Sequence, residues 1–250
     1  MAGDFLIRKA GQPIISPEDW LRLAPPPEGE STWADGEPVR EFARLFFDPD
    51  GRVQVPPVLA KMLTSHAILG SVSLQSMIPE YRIALDAMPG ASQRCDAMAV
   101  GTSREGRVAV TWHARTEKGF GPLISDQLRR GKPGSQWAAR ASRLAEAVLG
   151  RPLDACGNLR GELLRLAAAS LRAAEAEKAA GAVLVFHEFR PKAARASQLQ
   201  GNAADLDAFV KYLGGKPLRE CFLTGPFRVP GGNEVPASVP LYLGKITTLL

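Results

Sequence analysis

The stretch from Tyr81 to Glu117 constrains the fold most. Its apolar residues recur at every second position, whereas those on either side recur at helical spacing. Three β-like runs follow one another there, Tyr81–Met88, Cys95–Thr102 and Arg107–Glu117. Pro89-Gly90 and Ser103-Arg104-Glu105-Gly106 supply the turns between them. In the third run Val108, Val110, Trp112 and Ala114 alternate with Ala109, Thr111, His113, Arg115 and Glu117. This pattern predicts one apolar face and one face that ends in three ionisable groups.

Helical patterns flank the three runs. Pro38 opens a short helix with Val39, Phe42, Phe46 and Phe47 on its apolar side and Glu41 on its polar side, and Asp48-Pro49-Asp50-Gly51 stops it. A second helix is expected from Pro57 to about His66. After Phe120-Gly121-Pro122 come helices near Ser135–Leu149 and Leu159–Ala180, the latter rich in alanine. Ala182–Phe186 reads as a strand of the fully buried kind. A helix at Ala203–Leu213 and strand-like pieces at Leu218–Thr224 and Val239–Leu243 form a smaller appendage. Residues 1–32 carry breakers such as Pro25-Pro26-Pro27 and one helical phrase, Pro17–Leu21, capped by Ser16. They read as a surface arm anchored by Trp20, and residues 33–250 as one α/β domain with a mixed sheet flanked by helices.

A chain of 250 residues, 45% of them hydrophobic, can bury a large core without covalent staples. Cys95, Cys156 and Cys221 have no C-x-x-C spacing, which argues against a disulfide scaffold or a thiolate zinc site and for a reducing compartment. No apolar run approaches about 18 residues, and Met1–Gln12 lacks an apolar signal segment, so the expectation is a soluble, cytoplasmic protein without a membrane partner. The turn Gly131-Lys132-Pro133-Gly134 lacks P-loop spacing and gives no support to nucleotide hydrolysis.

The order helix, three strands, helix, strand, with Asp96 on the second strand, the triplet His113-Ala114-Arg115 on the third and Glu41 on the first helix, resembles the restriction-endonuclease-like, PD-(D/E)xK superfamily. More narrowly the chain resembles an uncharacterised bacterial family with that fold. The stretches that carry this likeness are Trp33–Gly36 with Glu41–Ala43, Ala91–Asp96, Val108–Arg115 running into Phe120–Pro122, Leu159–Leu164, Val183–His187 and Pro240–Gly244. The resemblance implies an αβββαβ core and metal-dependent phosphodiester hydrolysis. It also implies nucleic acid as partner and a divalent metal (Mg, Mn or Zn) as cofactor. Asp96, His113 and Glu117 would then be the metal ligands, Arg115 the phosphate clamp and Glu41 an outer helper.

The triplet departs from the superfamily pattern, since His113 stands where a carboxylate belongs and Arg115 where a lysine does. The missing carboxylate removes an oxygen ligand that Mg²⁺ favours. Arginine cannot deprotonate as lysine can, yet it can hold a phosphate through two parallel hydrogen bonds. Three readings follow: an ordinary polar strand face beside Glu117, a degenerate nuclease fold that binds nucleic acid or a protein partner without cutting, and a working site in which His113 favours Mn²⁺ or Zn²⁺. His187, at the end of the apolar strand, reads as a core-edge histidine with a hydrogen-bond partner, and Cys95 as a small core residue.

The net charge of +5 from 31 cations and 26 acids is modest, but it is unevenly spread. Between Arg129 and Arg151 the six cations Arg129, Arg130, Lys132, Arg140, Arg143 and Arg151 meet the single acid Glu146, so this stretch alone carries +5. Arg190, Lys192 and Arg195 form a second cluster without acids. Such patches attract a phosphate backbone by counterion release, and equally suit solvated helix faces.

Overall fold

The computed structural model describes residues 5–86, 92–116, 119–131, 135–192 and 196–250, the side chains of 196–199 excepted. The chain opens with β1 (Leu6–Lys9), β2 (Gln12–Pro13), α1 (Pro17–Leu23), α2 (Pro38–Arg44) and α3 (Pro57–Leu63). Three long strands follow, β3 (Ser73–Ala84), β4 (Ser92–Ser103) and β5 (Gly106–Arg115). Then come α4 (Ile124–Arg130), α5 (Gln136–Leu149), α6 (Gly161–Ala176), β6 (Gly181–Arg190), α7 (Ala196–Tyr212), β7 (Leu223–Phe227) and β8 (Leu241–Leu249).

The described strands form one eight-stranded mixed sheet in the order β2-β1-β3-β4-β5-β6-β8-β7. The β3-β4-β5 meander is antiparallel, Leu74 standing opposite Gly101 and Val110 opposite Ala99. From β5 the chain crosses over through α6 and returns as β6, parallel to β5, and β8 adds in parallel on the far side of β6. Parallel neighbours need such a crossover, and the helix that makes it covers one face of the sheet.

Helices cover both faces. On one side Leu163, Leu166, Ala167 and Ala168 of α6 pack with α5, α7 and the sheet into one core. The small residues Ala167-Ala168-Ala169-Ser170 let α6 lie close to the strands, and the Thr111 hydroxyl bonds Ser170 Oγ at 2.9 Å within that contact. On the other side an aromatic group of Trp20, Phe42, Phe46 and Trp112 seats α1 and α2 on β5, with ring centroids 5.2–6.2 Å apart. Edge-on geometry of this kind adds to the burial of apolar area.

Four expectations change. The third strand does not present one wet face: Ala109 and Thr111 are as buried as Val108 and Val110, because helices lie on both sides, and the first half-buried side chain is His113. The first long strand begins at Ser73, eight residues before the alternation is visible, since a register shift between Leu74 and Ser76 breaks the period where β3 also pairs with β1. The late strands are no appendage but extend the same sheet beyond β6. The expected arm is also woven in: Leu6 and Ile7 pair with Ser76 and Met77, and Ile7, Ile14 and Trp20 are buried. Its prolines and glycines hid a short strand whose partner lies some seventy residues further on. Among the described residues no helix is long and apolar enough to cross a membrane.

Gly101 shows how closely β4 meets β3. A Cβ there would lie 2.5 Å from the Ser73 carbonyl oxygen, a backbone atom that cannot swing aside. Gly101→Ala is therefore expected to destabilise the protein by about 1–3 kcal/mol, read as a lower midpoint in calorimetric unfolding.

Candidate functional site

A cleft opens where β4 and β5 part. Their backbone pairing ends at Ala97↔Trp112, while β4 stays on β3 through Tyr81↔Cys95 and β5 stays on β6 through Arg115↔Glu188. Beyond the fork the Asp96 side chain replaces the strand partner, its Oδ2 accepting the Ala114 N–H at 2.7 Å. Asp96 is only 4% exposed. A buried carboxylate needs donors for its remaining lone pairs, and Arg94 Nη2 stands 3.5 Å from Oδ1. The same guanidinium reaches Glu80 Oε2 through Nη1 at 3.2 Å, so Arg94 bridges two carboxylates. Burial pushes the Glu80 carboxyl up to about 7 against the pull of Arg94.

Opposite Asp96, His113 and Arg115 meet the first turn of α6. Glu162 Oε1 lies 3.0 Å from His113 Nε2 and 3.3 Å from Arg115 Nη2, and that Nη2 lies 2.6 Å from His113 Nε2. One ring nitrogen cannot both accept from Arg115 and donate to Glu162, so the tautomer of His113 decides which neighbour it serves. Burial would raise the Glu162 carboxyl, but the hydrogen bond and charge of His113 and the cations Arg115 and Arg165 outweigh it and hold the group below its ordinary range. Arg115 is 7% exposed, and its Cζ stands over the Phe120 ring at 3.5 Å from the centroid. The resulting cleft, of about 360 Å³, is lined by Asp96, His113, Arg115 and Glu162 together with Arg94 and Glu37.

The structure thus brings together Asp96, His113 and Arg115 and adds Glu162, Arg94 and Glu80. Glu117 lies outside the described residues. Glu41 is turned away: its Oε1 accepts the Gly36 N–H at 2.8 Å and meets Arg44, which ties down the loop before α2, while Glu37 at the cap of that helix reaches the cleft. Of the predicted cations, Arg129, Arg130, Arg140, Arg143, Arg190 and Lys192 do not line the cleft, and Lys132 and Arg195 fall outside the described residues. Arg129 pairs with Asp126, Arg140 with Asp86 at 2.9 Å, and Arg190 with Glu188 at 2.9 Å, whereas Arg130, Arg143 and Lys192 are exposed. His187 is buried, bonded to Thr248 Oγ1 at 2.8 Å, and burial lowers its pKa to about 3. The Cys95 thiol is pushed up to about 12 by burial, which suits packing and not attack.

Among the described residues no group of three or more His, Cys, Asp or Glu forms a metal-ligand set. The geometry gives the reason. Asp96 faces Nδ1 of His113 at 3.7 Å and Glu162 faces Nε2, so the two carboxylates address opposite edges of the ring, and a guanidinium stands against each of them. Asp96, His113 and Glu162 as placed therefore do not converge on one point, while Glu117, the third expected ligand, is outside the described residues.

Glu162 was present in the sequence as the acid of Leu159-Arg160-Gly161-Glu162, where a first-turn carboxylate needs no more explanation than the positive helix end. Only the crossover of α6 over the fork gives it a role.

These features define a mixed α/β domain with a charged cleft at a fork in its sheet. The chain belongs to the family described as Domain of unknown function (DUF6946), whose model matches residues 13–249. No curated protein and no solved structure matches the chain.

Glu80 makes stability depend on pH. Its folded value near 7 exceeds an unfolded value near 4.5, so its contribution is full below the unfolded value and is lost as pH rises through 7. Glu80→Gln, which cannot ionise, is expected to flatten the fall in unfolding midpoint between about pH 5 and pH 8, with a difference on the order of 3 kcal/mol at the upper end. Thermal melts of both proteins across that range check it.

Proposed function

We propose that this protein is a restriction-endonuclease-like domain with a degenerate metal site, and that it holds the phosphodiester backbone of a nucleic acid without cutting it. Support for the fold reading comes from the order α2, β3, β4, β5, α6, β6, with an antiparallel meander followed by a parallel crossover. Asp96 on the second strand of that meander and His113 and Arg115 on the third meet in one cleft, as the resemblance implies.

The observation that carries the non-cutting reading is the pairing of the cleft's carboxylates with guanidinium groups, Asp96 with Arg94 at 3.5 Å and Glu162 with Arg115 at 3.3 Å. Hydrolysis by a hard cation needs carboxylates turned to the metal, and the arginines compete for the same oxygens. A phosphate can instead exchange with those carboxylates for the guanidinium forks, because phosphate and carboxylate are the two anions that arginine binds in the same bidentate way. Within the basic stretch Arg129 and Arg140 pair with Asp126 and Asp86, so the exposed Arg130 and Arg143 are what supports attraction of a polyanion.

A second reading, hydrolysis with Mn²⁺ or Zn²⁺, draws on His113 beside Asp96, since imidazole suits those ions better than Mg²⁺, and needs Asp96 to exchange Arg94 for the metal.

Two measurements test the proposal. Fluorescence anisotropy with labelled duplex DNA, single-stranded DNA and RNA should show binding that weakens steeply between about 50 and 200 mM salt. No affinity at the lower salt would remove nucleic acid and leave a protein partner as the use of the fold. Plasmid and single-strand incubation with Mg²⁺, Mn²⁺ or Zn²⁺ should give no cutting by the natural protein beyond that by Asp96→Asn. Cutting that this variant abolishes would establish the second reading.

A further inference from the structure

We infer that a second site, behind the first turn of α6, binds a small organic anion that joins one carboxylate or phosphate group to an apolar body. A hollow of about 240 Å³ lies there between α5, α6 and the start of β4. Trp137, Leu144 and Leu164 form its apolar walls, Ser92 stands at the strand end, and Arg140 and Arg165 bring two guanidinium groups to it.

The two arginines point to the anion. Arg140 bonds Asp86 Oδ2 through Nε at 2.9 Å, yet its Nη2 is buried with no hydrogen-bond partner. That nitrogen has almost no accessible surface, so a small turn of the guanidinium into the hollow is what would let an entering acceptor satisfy a donor that is costly to leave unmade. Arg165 bonds Gln93 Oε1 through Nε at 3.3 Å and also lines the hollow. Each guanidinium already has an acid near it, Asp86 at Arg140 and Glu162 near Arg165, and an anion in the hollow would add charge-assisted hydrogen bonds from both. Gly161, the first residue of the 16-residue α6, also lines the hollow, so the positive end of the helix adds to the same field.

The walls and size specify the rest of the ligand. A bare anion gains nothing from Trp137, Leu144 and Leu164, whereas a ring or branched chain removes their surface from water. The volume is below that of pockets for drug-sized molecules, which selects a body of about one ring. The site is distinct from the charged cleft in its lining, since no described residue lines both, although the charge of Arg165 also acts on Glu162. The inference therefore stands or falls independently of any role in nucleic-acid binding.

Isothermal titration of the full chain with phenyl phosphate, benzoate, inorganic phosphate and benzyl alcohol tests it. Saturable one-to-one binding is expected for the first two, with the last two weaker by roughly tenfold or more, since each lacks either the body or the charge. Arg140→Gln should weaken phenyl phosphate binding by about tenfold. Ala141→Phe, which fills the hollow from α5, should abolish it, and Asp96→Asn in the cleft should leave it unchanged. Unfolding midpoints of all three variants show whether they remain folded, and Ala141→Phe decides the matter if Arg140→Gln does not. The inference is overturned if neither aromatic anion saturates, if benzyl alcohol binds as well as benzoate, if inorganic phosphate binds as well as phenyl phosphate, or if the folded Ala141→Phe protein binds like the natural one.

Discussion

The hydrogen bond from the Ala114 N–H to the Asp96 carboxylate is the interaction on which the rest of the cleft depends. It lets two neighbouring strands separate without leaving a buried donor unmade. With β4 still held by β3 and β5 still held by β6, the fork has rigid sides. His113 and Arg115 can then leave the plane of the sheet toward α6 in place of packing under a continuous ladder. A side chain standing in for a strand is a local solution, but it positions every charged group that follows.

Once the fork exists, electrostatics determine its contents. Asp96, Glu80 and Glu162 are all largely removed from water, and unpaired carboxylates in such places would protonate or unfold the site. Arg94 spans the first two, and Arg115 with His113 meets the third. The contact of Arg115 Cζ over the Phe120 ring restrains the guanidinium, whose planar fork is more pre-organised than a lysine ammonium. The cleft is therefore a set of matched pairs that a competing anion can rearrange. Glu80 is the member whose desolvation is least offset.

Much of the frame was legible beforehand. The alternation around Val108–Arg115 placed β5, the apolar run at Ala182–Phe186 placed β6, and the alanine-rich helix between them implied the crossover, because each is a local pattern set by burial. What the pattern missed has physical causes. The amino-terminal half of β3 lacks clean alternation because its register shifts between Leu74 and Ser76, and β1 is four residues long among turn formers. At the site, Asp96, His113 and Arg115 could be named in advance because the strands carry them. Glu162, Arg94 and Glu80 could not, since an acid in a first helical turn and a charged pair near a strand start are also what solvated surfaces contain. Glu41 and Glu37, four residues apart at one helix start, look alike in sequence, and loop geometry alone decides that Glu37 and not Glu41 faces the cleft.

The sequence by itself determined that the chain is an α/β protein built on a three-stranded meander and a helical crossover, because hydrophobic periodicity is a short-range property of neighbouring residues. It also located the charged triplet at the end of the central strand. Only the tertiary structure decided that this triplet meets a carboxylate from a helix some fifty residues on, that guanidinium groups face both acids, and that Arg140 leaves a buried donor over an apolar hollow. Those facts depend on distances between residues remote in the chain, and no periodicity encodes them.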